Sequence, residues 1–191
     1  MRVLTVLDHP NPESFSAAVA ARFMAGARAA GHQAVLADLH AEGFDPRWTL
    51  AEAQGGAVPA DVRREQGRVE RADALCMVFP LYWWGMPAMS KGWLERVFSY
   101  GWAYDQLDDP EGSLLRARPM VGLVPAGARS DAMAREGYTA ALELLWNRGT
   151  FGYFGFSPRK LEFLNGSTGS EARREALLQR AYAAGREIGA S

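Results

Sequence analysis

Two short stretches of this chain hold side chains that can do chemistry only when a fold brings them together. The first runs Phe79-Pro80-Leu81-Tyr82-Trp83-Trp84-Gly85-Met86-Pro87-Ala88-Met89-Ser90-Lys91-Gly92-Trp93. It follows an apolar run, Ala74 to Phe79, that suits a central parallel strand covered on both faces. Pro80 ends that strand, and Pro87 stands where a helix can start, with no N–H to leave unsatisfied. Met86, Met89, Trp93 and Val97 then recur at helical spacing, so one side of the helix faces the core. Tyr82, Trp83 and Trp84 are left at the carboxyl end of a strand, the edge where open α/β sheets bind ligands. Three such rings make a platform for a flat aromatic group. Taken alone, the residues equally allow ordinary core or interface tryptophans.

The second stretch is Asp8-His9-Pro10-Asn11-Pro12-Glu13-Ser14-Phe15-Ser16, between a first strand, Val3 to Leu7, and a helix. Ser14 can cap that helix, while Phe15, Val19 and Phe23 recur every four residues and turn one face inward. The first-turn N–H groups are then free for an anion, with the helix dipole in support, and His9 can add a donor from the strand end. This is a candidate phosphate pocket. The segment contains neither G-x-G-x-x-G nor G-x-x-x-x-G-K-[ST], so the dinucleotide fingerprint and the P-loop do not apply. A capped helix after a proline-rich turn remains open for these residues by themselves.

The elements that must position these loops are visible as apolar runs near Val3 to Leu7, Ala34 to Leu39, Ala74 to Phe79, Met120 to Val124 and Lys160 to Leu164. Roughly 40 residues separate successive runs, room for one crossover helix each, as in a parallel sheet of βαβ units. The fourth run leads into Val124-Pro125-Ala126-Gly127-Ala128, whose small residues let backbone N–H groups approach a flat ring; a plain strand-to-helix turn is the alternative. Between Phe44 and Pro59 a Gly/Pro/Ala-rich loop breaks the pattern before a helix of about Asp61 to Ala72. It reads as an interface or active-site arm, or else as a disordered linker. A final helix, about Ser170 to Ile188, buries Leu177, Leu178, Ala181 and Tyr182.

The chain has 191 residues and 48% hydrophobic content, enough to bury one core without staples, so a single domain over residues 1–191 is expected. With 21 basic and 22 acidic residues there is no electrostatic case for nucleic acid, and Arg63, Arg64, Arg68 and Arg71 read as a solvated helix face. The lone cysteine, Cys76, lies in an apolar strand and reads as a buried thiol. His32 and His40 have no partner at metal-ligand spacing and read as structural or solvent-facing, so no metal is expected. There is no leader-like amino terminus and no run of membrane-spanning length, so a cytoplasmic protein without membrane insertion is expected.

The two stretches together resemble the flavodoxin-like NAD(P)H:quinone oxidoreductases, the family that includes the DT-diaphorases and bacterial flavoproteins associated with potassium efflux. Members carry a His followed five and six residues later by Ser-Phe, as His9 is by Ser14-Phe15. They also carry a Pro-Leu-x-Trp-aromatic-Gly-x-Pro-Ala-x-x-Lys-Gly-Trp block, matched from Pro80 to Trp93. Glu95-Arg96-Val97-Phe98 and an aromatic-Ala-Tyr triplet at Trp102-Ala103-Tyr104 follow.

The resemblance implies an α/β fold: a flavodoxin-like doubly wound five-stranded parallel sheet, order 2-1-3-4-5, with helices on both faces. It implies FAD, with FMN possible, and NADH or NADPH as co-substrate. It places His9, Ser14, Phe15 and Ser16 at the flavin phosphate. Pro80, Leu81, Tyr82, Trp83 and Trp84 would lie along the ring, where N–H groups within Tyr82 to Trp84 reach its N5/O4 edge. Ala126, Gly127 and Ala128 would lie at the pyrimidine edge. Trp83, Trp84 and Tyr104 would wall the slot for a nicotinamide donor and then a quinone-like acceptor. One flavin face used in turn, with no second nucleotide fold expected in the chain, implies two-electron hydride transfer by a ping-pong scheme.

A homodimer is also implied, each pocket completed by the partner. Trp48, Trp102, Tyr104, Phe151, Tyr153 and Phe154 are expected as exposed aromatic surface at that interface. Two positions depart from the family. Where mammalian members place a charge-stabilising Tyr and His, an ungapped alignment anchored on Phe154-Gly155-Phe156 puts Ser130 and Glu136; Tyr138 nearby is the substitute, or a plain helix-face aromatic. Gln106 stands in place of a second aromatic gate. Two other functions stay open: a redox-sensing regulatory subunit of a transporter with little turnover, and a one-electron carrier.

Overall fold

The computed structural model describes residues 1–105 and 113–190; Gln106 lies outside them. One sheet of five parallel strands forms in the order β2-β1-β3-β4-β5. The strands are β1 (Arg2–Leu7), β2 (Gln33–Asp38), β3 (Ala74–Val78), β4 (Met120–Ala126) and β5 (Arg159–Asn165). The β1–β3 register sets Leu7 against Val78, and the β3–β4 register sets Val78 against Leu123, which brings the carboxyl ends of β1 and β3 level. Side chains alternate between two cores, as the period of 2 requires. Val3, Ala74, Cys76, Val78 and Leu123 face α1 (Phe15–Ala29) and α7 (Glu171–Glu187), meeting Val19, Phe23, Leu177 and Ala181. Leu4, Val6, Leu75, Met77 and Met120 face the opposite layer, α3 (Ala60–Arg71), α4 (Ala88–Val97) and α6 (Tyr138–Leu142), through Val69, Trp93, Val97 and Leu142. Two short helices, α2 (Leu50–Ala53) and α5 (Ser130–Arg135), complete the set, and α6 continues as a π-helical stretch over Glu143–Phe151.

β4 runs two residues further than its apolar pattern, through Pro125. The Pro125 carbonyl accepts from Leu81 N at 2.8 Å. In a strand a residue's C=O and N–H point to the same side, so the missing N–H faces the β3 side beyond Val78, where the ladder has ended. Among the arginines of α3, Arg63, Arg64 and Arg71 are exposed as expected, whereas Arg68 is half-buried between Glu42 and Glu65. Cys76 is buried, and burial pushes its thiol pKa up.

The Phe44 to Pro59 arm is ordered, which corrects the linker alternative. Thr49 and Glu52 form a capping box at α2. Arg96 of α4, almost fully buried, then donates to Glu52 at 2.8 Å, to Asp61 at 2.6 Å and to the Asp45 carbonyl, with its guanidinium 5.2 Å over the Phe44 ring. Gly92 is required at this contact: a Cβ there would lie 2.1 Å from the Pro46 carbonyl oxygen. The arm therefore braces the helix that follows the aromatic loop.

Burial alone would raise the Glu52 and Asp61 pKa values; hydrogen bonds from Thr49 and Arg96 outweigh it, and both are lowered. A depressed carboxylate pKa contributes stability that is present above the unfolded value and lost as pH falls through the folded one. Thermal midpoints should therefore hold from neutrality down to the ordinary carboxylate range, then fall in more acid solution. Each kcal/mol lost appears as about 2–4 °C at this size. A double substitution, Glu52→Gln with Asp61→Asn, should flatten the acid limb; an unchanged limb would remove these groups from it.

Candidate active site

The loops after β1, β3 and β4 meet at one edge of the sheet. In the first, Ser14 caps α1: its Oγ accepts from Ala17 N at 3.1 Å. The cap leaves the N–H groups of Phe15 and Ser16 without an acceptor among the described residues. Ser16 is itself buried, and its hydroxyl lies in the same first turn. Two donors and a hydroxyl at the positive end of a four-turn helix suit a phosphate. His9 Nδ1 accepts from Asn11 N at 3.0 Å, which assigns the ring proton to Nε2. Nε2 then faces the Tyr82 hydroxyl at 3.4 Å, so the first loop touches the second.

The second loop is a tight turn. Gly85 N donates to Tyr82 O at 2.8 Å, and Tyr82 N donates back to Gly85 O at 3.2 Å. Both central residues are left-handed, Trp83 at φ 48° and Trp84 at φ 57°. Such a turn ordinarily takes Asn-Gly or Gly-Gly, and a side chain there stores on the order of 1–3 kcal/mol of strain per residue. No burial offsets it at Trp83, which is 97% exposed; Trp84 is 43% exposed. The conformation frees the N–H groups of Trp83 and Trp84, which have no acceptor among the described residues. Of the N–H groups within Tyr82 to Trp84, that of Tyr82 is committed to Gly85 O, which leaves Trp83 and Trp84 as the open donors; Leu81 N–H is bound to Pro125 O. Pro80 is buried beneath the turn.

Tyr138, the first residue of α6, follows Gly137 at φ 79° and stacks on Trp84 with centroids 3.8 Å apart and planes 10° from parallel. It belongs to the aromatic loop rather than to a helix face alone. Ser130 opens α5 in solvent, and Glu136 pairs with Arg135, so neither occupies the ring turn. Tyr104 sits in a different aromatic cluster of the chain. Its aromatic neighbours among the described residues are Tyr100 at 5.8 Å and Tyr153 at 5.7 Å.

The third loop is shorter than expected. Ala126 is part of β4, where its carbonyl accepts from Gly166 and Ser167, so of the three expected residues only Gly127 and Ala128 lie in the turn, with Arg129 after them. Asn165 Nδ2 donates to the Ala128 carbonyl at 3.1 Å and fixes it. Among the described residues no group of three His, Cys, Asp or Glu is placed to hold a metal.

Sequence reading gave no role to Asp8 and none to its partners. Asp8 is buried and accepts from Ser90 and His40; no local spacing signals a contact 82 residues long. The expected aromatic interface also changes. Phe151 is fully buried, filling the hole that Gly122 leaves on β4, and Phe154 stacks on Phe98 at 4.3 Å. Of that set Trp48 alone is exposed; outside the aromatic turn, Tyr100, Leu114, Leu144 and Leu145 are among the other exposed apolar side chains. No helix among the described residues is long and apolar enough to cross a membrane.

A family model described as the flavodoxin-like fold, Flavodoxin_2, matches residues 1–187. An uncharacterized NAD(P)H oxidoreductase of Haemophilus influenzae is 31% identical over 85% of this chain and 82% of its own. NAD(P)H dehydrogenase [quinone] 1 of Cavia porcellus is 28% identical over 92% of this chain and 73% of its own. Among solved structures, the NAD(P)H:quinone oxidoreductase of Methanothermobacter marburgensis superposes with a TM-score of 0.87 at 31% identity, over 97% of this chain and 98% of that one.

Proposed function

The chain belongs to the Flavodoxin_2 family of flavodoxin-like folds, and from that premise we propose that it is an NAD(P)H-dependent oxidoreductase that reduces quinones or similar planar acceptors at a bound flavin. The observation that carries this reading is the left-handed turn at Trp83 and Trp84. Both tryptophans are held in a strained conformation, and Trp83, with its ring in solvent, has no packing reason to be there. They have a binding reason: the turn presents two free N–H groups and a flat wall at the ligand edge of the sheet.

The residues fit a flavin at both ends. Ser14, Phe15 and Ser16 would hold a phosphate on the α1 amino terminus, with His9 beside it. Trp83 and Trp84 N–H groups would fix one edge of the ring, and Gly127 and Ala128 would approach the other. Bound there, a flavin would supply the hydride chemistry, taking two electrons from a nicotinamide and passing them to the acceptor. The chain orients the partners, limits water and offers N–H groups where negative charge gathers. We read residues 1–191 as one such unit and FAD as its flavin, on the likeness of the Lys91 to Tyr104 segment to FAD-bound members; NADH and NADPH are both fitting donors.

A homodimer completes the slot. Within its own chain Tyr104 packs on Tyr100 and Tyr153, and in a homodimer it would wall the slot of the second copy. Exposed Tyr100, Leu114, Leu144 and Leu145 give that copy apolar surface to cover. An open groove of about 620 Å³ lies along Leu144, Leu145, Arg148 and Tyr153 on the same side. Sedimentation at micromolar concentration should show a dimer. A monomer with flavin bound and activity intact would sink this part.

The function is tested by releasing the flavin for mass spectrometry, then assaying NADH and NADPH oxidation with a soluble quinone. FAD in near-stoichiometric amount and quinone-dependent turnover are expected. FMN alone would reverse the choice of flavin. Tight flavin binding with negligible turnover from either donor would overturn the enzymatic reading.

A further inference from the structure

Asp8 sits at the end of β1, 3% exposed, one residue before His9. Its own N–H donates to Val78 O at 2.9 Å, which ties the chain to the end of β3. Its carboxylate is shared between two distant segments. Oδ2 accepts from Ser90 N at 2.8 Å and from Ser90 Oγ at 2.6 Å, while Oδ1 lies 2.9 Å from His40 Nε2.

Ser90 is the third residue of α4, and its N–H is one of the orphan donors of that helix. Pro87, at the cap position, has no side chain to satisfy it. Asp8 therefore caps α4 from another strand. A Ser or Asn in place of Pro87 would cap the helix locally and bury no charge. The long-range cap does what a local one cannot: it fixes the start of α4, directly after the Tyr82–Gly85 turn, against the strand end that leads into the Ser14–Ser16 turn. His9 and Tyr82 add a second link between the same two loops.

We propose that Asp8 is a positioning residue that holds the aromatic turn and the phosphate turn in fixed register, so that one flavin can be gripped at both ends. The inference rests on the flavin reading above. Asp8 is too deeply buried to meet substrate, and it acts through Ser90 and His40. His40 is the smaller partner: it donates Nε2–H and leaves no carboxylate oxygen unsatisfied, as a buried carboxylate requires.

The test is a titration of FAD and of FMN onto deflavinated wild-type protein and onto the variants Asp8→Ala, Asp8→Asn and Ser90→Ala. Flavin absorbance and fluorescence are recorded at saturation, and the folded fraction of each apoprotein is measured separately. Asp8→Ala should bind flavin at least about tenfold more weakly, the change that 1.4 kcal/mol gives, with an altered bound spectrum in protein that is still folded. Asp8→Asn should recover most of the affinity: its amide oxygen still accepts from Ser90, and its amide nitrogen can donate to the other tautomer of His40. If Asp8→Ala does not fold, Ser90→Ala carries the test, with a smaller loss and a spectral change in the same direction.

Wild-type affinity and spectrum in folded Asp8→Ala, or in folded Ser90→Ala where that variant carries the test, would overturn the proposal. Binding that falls only in proportion to the folded fraction would overturn it as well. A wild-type protein that takes up neither flavin would sink the functional reading itself, a result distinct from either of these.

Discussion

Protein carrying Ser14→Asp is expected to fold as the wild type does and to purify almost without flavin. Aspartate caps a helix about as well as serine, so the bond to Ala17 N can be kept and α1 is not put at risk. What changes is charge. The Phe15 and Ser16 N–H groups that would hold the phosphate follow directly on the cap, so a carboxylate there faces the phosphate across about 4 Å. At an effective dielectric near 20 that repulsion is about 4 kcal/mol. Ser14 is only half-buried, and solvent and salt take part of this. A loss of roughly 100-fold in flavin affinity remains, and the aspartate also competes for the donors. Ser14→Ala is the companion: it loses the cap, about 1 kcal/mol of stability, and keeps the flavin. Flavin absorbance per protein and a binding titration measure both. Full occupancy in Ser14→Asp would show that the phosphate lies elsewhere.

The fold was legible because its signals are local. Five apolar runs at crossover spacing become five parallel strands, and the Ser14 cap forms on its own i+3 N–H. The site was legible as two loops, since a strand end, a proline and a helix start can be read in order. Its geometry was not. Nothing in Trp83-Trp84-Gly85 announces two consecutive left-handed residues, because the glycine that such a turn favours stands one position too late. Tyr138 reaches Trp84 through the left-handed bend at Gly137, a change of direction that an ungapped count along the chain does not show. Phe151 was assigned to a surface because the hole it fills is left by Gly122 on another strand. The Asp8–Ser90 contact joins residues 82 apart, and Pro87 at the α4 cap position shows only that a local side-chain cap is lacking, not which distant residue supplies it.

Initial rates measured against NADPH at several quinone concentrations should give parallel double-reciprocal lines, with the acceptor competing against the donor. The structure gives the physical motive. Among the described residues there is one aromatic turn at the ligand edge, its two free N–H groups belong to adjacent residues, and Tyr138 covers a face of Trp84 at 3.8 Å. If donor and acceptor both use that wall, the oxidised nicotinamide is expected to leave before the acceptor enters, which is the ping-pong pattern. Tyr138 then separates stacking from proton transfer. Tyr138→Ala removes the ring, and since such stacks are worth about 0.5–1.5 kcal/mol beyond buried area, the acceptor KM should rise a few-fold to about tenfold. Tyr138→Phe keeps the ring and removes the hydroxyl that, on the proposed reading, would stabilise charge during hydride transfer. Its acceptor KM should be unchanged while kcat falls by about 100-fold, the low end of what a positioned proton donor contributes. A wild-type kcat in Tyr138→Phe would leave Tyr138 as a stacking surface alone. Intersecting lines with a non-competing acceptor would require a second site, one that this wall cannot supply.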